Sequence, residues 1–537
     1  MKSKATDMNT RPAYSLKQAA ELGGQAMLAW MDPQAGYMPI TGYEQAHDVG
    51  RWWDAILRLE HATGFSIPAH IEDAMLANLK RLTENPARLL VVDTKGGGEA
   101  AINPHNLRET MLAYHALVRW RNSDWARQRG HQFLESLDRS IRPDGHLDVA
   151  RLGIAGRVPE WSQNFVKEKE NAAGWFDATQ TTGRCLEAVV WFYEATGDEL
   201  ALRLADRLAR HHLRMIADEH GAARTEFFDA THFGHNHSYM GTLRGLFLFG
   251  RLTGQRHYID AVTEIYRHSL WRQNISRDGW TCHDLGMINS WSLNRFGEKQ
   301  YESASPGDIA QLALWLALDD HQWDLLDDVE RILRSSLLPG QITAADVGAP
   351  ARKGDLTIKD NWIGGWGCQY ERNVKDLIYD VLAAVVHSLS DLYEHTLVKD
   401  QRGLSLLWHF DYEDDQLRVT HSRSDEAVVR IEPKTARPLR IRIPAWTPAD
   451  SLRVSVGGRV VHPPHLGAFI YLDGDLVQNC EPITLQYALP VRTTEEPCDK
   501  TVWRLTWQGD TVIDSVPIRP SESQPNNEKE INDVKEK

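Results

Sequence analysis

The sequence predicts a mainly α-helical chain, an (α/α)6 barrel followed by a C-terminal antiparallel β-sandwich. Three observations carry this expectation. Pairs of helix-periodic stretches recur through roughly the first 400 residues at a spacing of roughly 60 to 75, as in arrays of helical hairpins. Links within a pair are short and links between pairs are long. From about Gly403 the pattern becomes alternation of apolar and polar residues, which is the periodicity of half-buried strands.

In chain order, a polar lead precedes one helix over residues 15–30. The first hairpin covers 47–83 and breaks at Gly64, a residue type that tolerates the left-handed conformation of a helix end. The second covers 104–140 with its break near Asn122, and the third covers 179–215 with its break at Gly197. In the fourth, 235–271, Leu243, Leu246, Phe247, Phe249 and Leu252 keep helical spacing up to Gly254. Tyr258, Ala261, Val262, Ile265 and Tyr266 keep it afterwards. EATGDELALRLADRLARH from Glu194 and RLTGQRHYIDAVTEIYRH from Arg251 are near-copies of one another across such a break. A fifth hairpin covers 306–337 and breaks near Asp319 and Asp320; a sixth starts near Arg372. Six hairpins suit a closed ring better than an open solenoid. Stretches such as LRVTHS, AVVRIEP, PLRIRIPAW and AFIYLDG then form the sandwich, with a polar tail after about Arg519. The expected boundaries are 1–45 for the lead and its helix, 46–400 for the barrel, 401–515 for the sandwich and 516–537 for a disordered tail.

Because each long link precedes the first helix of a pair, all of them gather at one end of the ring. Loops of this length in a compact domain commonly carry function. The residues where those helices begin form a polar ring of His47, Asp48, His105, Asn106, Asp177, Thr179, Gln180, His235, Asn236, His237, Glu302, Ser303 and Asp308. The sixth helix adds Cys368, Tyr370, Glu371, Arg372 and Asn373. Capping explains Asp, Ser, Thr and Asn there, but not four histidines, a tyrosine and a cysteine. A concave polar site at that end is the expectation.

Composition narrows the function. Apolar residues make up 42% and charged residues 25%, ordinary values for a soluble globular chain with a large core. A net charge of -14 argues against an extended phosphate-binding surface, so no nucleic-acid partner is expected. The five cysteines, Cys185, Cys282, Cys368, Cys480 and Cys498, form no CxxC pair, against a disulfide framework or a closed structural zinc site. No stretch reads as a signal peptide or membrane span, so the expectation is a cytoplasmic protein without a membrane partner. Lys95-Gly96-Gly97-Gly98 lacks P-loop spacing. Most of the 19 tryptophans read as packing, with Trp175 and Trp366 as candidate platforms for sugar rings.

Several segments together resemble the β-L-arabinofuranosidases that use a zinc-bound cysteine, and their six-hairpin relatives. Asp48-Val49-Gly50-Arg51-Trp52-Trp53-Asp54-Ala55 is similar to that family's first inner helix, and Gly183-Arg184-Cys185-Leu186-Glu187-Ala188 to its third hairpin. His237 stands where the family has a substrate-contacting histidine, and Tyr301-Glu302-Ser303 resembles its acidic motif. Arg440-Ile441-Arg442-Ile443-Pro444-Ala445-Trp446 resembles its β-domain signature. The resemblance spans residues 48–513 and implies a glycosidase on an oligosaccharide. Its departures fall on the chemistry. Glu302-Ser303-Ala304 replaces a Glu-Thr-Cys, a single Cys368 replaces adjacent cysteines, and Asp177 stands where relatives carry a histidine. Glu302 and Cys368 are too few for zinc unless His235, His237 or His283 completes the set, so no metal or other cofactor is expected.

The chemistry that remains is hydrolysis by two carboxyl groups. Glu302 is the first candidate; Asp284 stands roughly where the family places its acid/base residue, and Cys368 is a candidate nucleophile. His105, Asp177, His235, His237, Trp366, Tyr370, Glu371 and Asn373 are the candidate substrate-binding residues. The expectation is an exo-acting glycoside hydrolase on short oligosaccharides. Its rivals are a uronate lyase, with Tyr370 or a histidine as base, and a carbohydrate-binding protein without catalysis.

Overall fold

The computed structural model describes residues 15–40, 44–91, 101–154, 175–224, 234–271, 275–281, 283, 285, 301–351, 356–369, 375–498 and 501–520. The helices are α1 (Leu16–Ala29), α2 (Gln45–Thr63), α3 (Ala69–Leu82), α4 (Asn106–Arg121), α5 (Asp124–Ser140) and the short α6 (Trp175–Gln180). They continue with α7 (Thr182–Thr196), α8 (Glu199–Ile216), α9 (Asn236–Thr253), α10 (Arg256–Ile265), α11 (Ala304–Asp320), α12 (Leu325–Ile332) and α13 (Tyr379–Glu394). Hairpin breaks use left-handed residues: Gly64 at φ 78°, Gly197 at 70°, Gly254 at 69°, and also Asn122 at 49° and His321 at 54°. The fifth break is thus at His321, just beyond the aspartates that marked it in the sequence. Asp198 caps α8 by accepting from the amides of Leu200 and Ala201, and Ser123 caps α5 through the amide of Ala126.

The inner helices close a ring. α2 packs on α4, α4 on α7, α7 on α9, α9 on α11, α11 on α13, and α13 back on α2. Behind them stand α3, α5, α8, α10 and α12. The sixth outer position is filled by α1, which lies against α13; Tyr379 Oη donates to Met27 O at 3.1 Å. Residues 15–30 therefore do not stand apart from the barrel. Their helix completes the sixth hairpin, whose first helix starts at Tyr379 rather than near Arg372. Gly23 allows the close approach, because a Cβ there would lie 2.6 Å from Val386 Cγ2. The inner faces need small residues elsewhere too: a Cβ on Gly50 would sit 2.6 Å from Glu109 O across the α2–α4 contact.

After α5, α8 and the π-helical turn that extends α10, the chain makes the same small hairpin. Ile141 bridges Leu147, Ala217 bridges Ala223 and Ile275 bridges Thr281, around Gly145, Gly221 and Gly279 at positive φ. These turns begin three of the long links. Two-residue strands β1 (Tyr301–Glu302) and β2 (Cys368–Gln369) pair antiparallel at the same end, with Glu302 opposite Cys368.

The C-terminal region holds two larger sheets and a third of three strands. One orders Arg459–Val461, Arg453–Val456, Ile483–Ala488, Glu426–Pro433, Leu417–Arg423 and Tyr412–Glu413. The other orders His465–Leu466, Phe469–Leu472, Leu439–Arg442, Gly403–Leu406 and Leu397–Asp400. Alternate residues such as Val429, Ile431, Leu485 and Ile441 form its core. The sandwich is not wholly antiparallel, since Leu439–Arg442 runs parallel to Gly403–Leu406. Its strands begin at Leu397 and continue to Pro520, past both expected boundaries. The Arg442 guanidinium, buried between the domains, donates to Leu407 O and to the carboxylates of Asp327 and Glu330 on α12. Arg334 Nη2 donates to His409 O at 2.6 Å beside it. Among the described residues no helix is long and apolar enough to cross a membrane.

Candidate active site

The inner helices all begin at one end of the ring, where Glu302, Asp380, His47, His105 and His235 meet. β1 delivers Glu302 just ahead of α11, and its Oε2 lies 2.8 Å from His235 Nε2. The His235 ring stacks on His283 at 4.3 Å between centroids, and its Nδ1 lies 2.9 Å from Ser238 Oγ. Burial pushes the Glu302 carboxyl up, but His235 and His283 outweigh it and hold the group at about 2. Asp380, in the first turn of α13, has the opposite fate. Burial raises it to about 6, against the Arg51 cation and with help from the charge of Glu302. His47 Nε2 is 3.8 Å from Asp380, and its Nδ1 is 3.0 Å from Asn106 Oδ1. Asn106 in turn donates to Glu44 at 2.6 Å, so the His47 ring is aimed from behind.

Below this mouth the barrel axis is filled with buried charge. Glu109 on α4 accepts from Arg184 Nη2 at 2.5 Å and forms an ion pair with Arg51, whose Nε lies 3.0 Å away. Arg108 Nε meets Glu187 at 2.5 Å, and Arg244 reaches Glu187 at 2.9 Å and Asp308 at 2.7 Å. Ion pairs this deep are stable only when every partner is present, since a lone buried charge is very costly. The network makes a rigid floor.

The floor also fixes two histidines as neutral imidazoles. His105 Nδ1 donates to Gln180 O at 2.7 Å, which leaves Nε2 to accept from Arg184. His237 Nδ1 faces Asp308, while its Nε2 accepts from Arg51 and, at 3.0 Å, from Arg108. Burial first, and then the neighbouring arginines, push both rings well below the usual histidine range. Neither His105 nor His237 keeps a ring nitrogen for a sugar hydroxyl, which corrects their assignment as substrate-binding residues. Trp366 is also corrected. It is wholly buried and donates Nε1–H to Leu337 O at 2.8 Å, so it packs the core and offers no ring-stacking face. Cys368 lies opposite Glu302 but is buried among Ala304, Val381 and Ala384. That apolar setting is typical of inert cysteines, not of nucleophiles. Asp177 faces His146 at 2.7 Å and, at 3.7 Å, His211 on the outer helix α8. His235 remains at the mouth beside Glu302. Asp284, Tyr370, Glu371 and Asn373 lie outside the described residues, as do Cys282, Arg372 and the Trp175 side chain.

The sequence reading missed Asp380 and the charged axis of Arg51, Arg108, Glu109, Arg184, Glu187 and Arg244. A signal was present: Leu107-Arg108-Glu109-Thr110-Met111 and Leu243-Arg244-Gly245-Leu246 place charges within otherwise apolar inner helices. Asp380 read as an ordinary first-turn acid.

Among the described residues two sets of three donor side chains could hold a metal: His235, His283 and Glu302, and His146, Asp177 and His211. The zinc–thiolate set implied by the family resemblance does not fit. Ala304 stands in place of a cysteine, packed directly with the remaining Cys368. In the mouth set His235 already has both nitrogens engaged, by Ser238 and Glu302.

No protein-family profile and no curated protein matches this chain. Solved structures do. A GH127 β-L-arabinofuranosidase from Geobacillus stearothermophilus T6 aligns over 94% of this chain and 80% of its own, at 12% identity and a TM-score of 0.53. A GH127 β-arabinofuranosidase aligns over 92% of this chain and 79% of its own, at 13% identity and a TM-score of 0.56. A further glycoside hydrolase aligns over 94% of this chain and 81% of its own, at 12% identity and a TM-score of 0.54. The class defined is one of architecture: a six-hairpin barrel with a C-terminal β-sandwich, shared with these proteins.

Proposed function

We propose that the protein is a glycoside hydrolase acting from the ends of short oligosaccharides, with Asp380 as general acid and Glu302 as nucleophile or general base. The observation that carries this is the pair of carboxyl groups at one barrel mouth whose surroundings drive them in opposite directions. Glu302 is held ionised, and Asp380 keeps its proton into the mildly acidic range. Glycoside hydrolysis needs that combination: one carboxylic acid to protonate the departing oxygen, and one carboxylate to attack the anomeric carbon or activate water. His235 orients Glu302 through the 2.8 Å contact, and His47 flanks Asp380. The fold shared with glycosidases supports the reading. A uronate lyase is less well served, because Arg51 and Arg184 on the floor are already bound to Glu109.

The test is a hydrolysis screen of aryl glycosides and oligosaccharides with wild type, Glu302→Gln and Asp380→Asn. Removing either group is expected to lower kcat by about 10²–10⁴-fold, as for loss of a general acid or base. Full activity in either variant would remove that residue from the mechanism. Sugar binding by calorimetry with no product from any substrate would point instead to a binding protein.

A further inference from the structure

We propose that His146, Asp177 and His211 form a binding site for one divalent transition-metal ion of the zinc or cobalt class, separate from the carboxyl pair at the mouth. The three residues come from three elements. His146 lies on the small hairpin after α5, Asp177 on α6, and His211 near the end of the outer helix α8. Their donor atoms all lie within 4.8 Å of one another. His146 Nδ1 is 2.7 Å and His211 Nε2 is 3.7 Å from the same oxygen, Asp177 Oδ2. The other oxygen, Oδ1, accepts from Thr181 Oγ1 at 3.2 Å, which fixes the carboxylate and aims Oδ2 at the two rings. Gly145 makes the approach possible: at φ 98° it brings the turn so close that a Cβ would meet His211 Nδ1 at 2.2 Å.

Hydrogen bonding alone leaves this cluster incomplete. The His211 side chain is only 2% exposed, and among the described residues neither ring nitrogen has a partner at hydrogen-bond distance, the Asp177 carboxylate standing 3.7 Å from Nε2. A buried imidazole without hydrogen-bond partners is unfavourable. A cation bound at Nε2 would satisfy it. Two imidazole nitrogens and one carboxylate oxygen suit zinc, cobalt, nickel or iron(II), whereas magnesium and calcium prefer oxygen ligands throughout. Three protein ligands leave a position for water. The mouth cluster differs on this point, because His235 is already engaged at both nitrogens. An ion at His146, Asp177 and His211 would tie the start and the end of the 142–178 link to the outer helix. It would thereby brace the entry to α7, which carries Arg184 and Glu187.

The test is a cobalt titration of the full chain after treatment with a chelator, read by visible absorption and by calorimetry. One equivalent is expected, with ligand-field bands that zinc abolishes and magnesium leaves unchanged. His146→Gln and His211→Gln are expected to weaken binding at least tenfold, while His235→Gln leaves it intact. His146 is partly exposed, so its variant should retain the wild-type circular dichroism and can decide the matter even if His211→Gln fails to fold. No cobalt signal in wild type, an unchanged signal in His146→Gln, or a signal lost in His235→Gln would overturn the assignment.

Discussion

Glu109→Gln tests whether the charged floor holds the barrel together. The carboxylate is fully buried and balances two guanidiniums, Arg51 at 3.0 Å and Arg184 at 2.5 Å. Glutamine keeps the shape and removes the charge, leaving both cations short of a counterion. Burial alone would raise this carboxyl, yet Arg184, His47 and Arg51 bring it from 4.5 to about 2. At about 1.4 kcal/mol for each tenfold change in proton affinity, that lowering is worth about 3 kcal/mol. Breaking one side of a buried pair typically costs about 3–5 kcal/mol, so the two routes agree. The sign follows from a lowered carboxyl. Its stabilisation is complete above the unfolded value of 4.5 and fades as pH falls toward the folded value of about 2. Urea denaturation followed through the buried indoles of Trp52 and Trp53 should therefore show a loss of about 3 kcal/mol at pH 7. The gap to wild type should hold steady at higher pH and narrow below pH 4.5. A loss under about 1 kcal/mol, or a gap that does not narrow in acid, would refute the role assigned to Glu109.

The pH profile of kcat/KM for hydrolysis should be acidic. Asp380 must keep its proton, so activity falls as pH rises through about 6, and Asp380→Asn should remove that limb along with most of the rate. Arg442→Met removes the buried link between α12 and the sandwich, a loss of about 3 kcal/mol, and should speed limited proteolysis between the domains. Unchanged cleavage would mean that the other contacts, among them Arg334 to His409 and Ser335 to Asp510, hold the junction without it. Gly50→Ala should destabilise by about 1–3 kcal/mol, because the new methyl meets the Glu109 carbonyl and forces α2 and α4 apart. A rise in thermal stability would show instead that this contact yields.

What the sequence by itself determined is what short-range periodicity can encode. Apolar spacing together with Gly64, Gly197 and Gly254 marks the hairpins, because a helix face and its left-handed stop are properties of neighbouring residues. Alternation marked the sandwich for the same reason. The asymmetry between short and long links placed Glu302 and His235 at one end, where they meet. The tertiary structure alone decided which groups pair across the axis. Arg184 finds Glu109 from 75 residues away, and His387 finds Asp54 from 333 away, separations that no local pattern records. It also set α1 behind α13, buried Trp366 and Cys368, engaged both nitrogens of His237, and placed Asp177 against His146 and His211. A side chain's chemistry depends on solvent access and on its partners, and in a closed ring both are fixed only when the two ends of the chain meet.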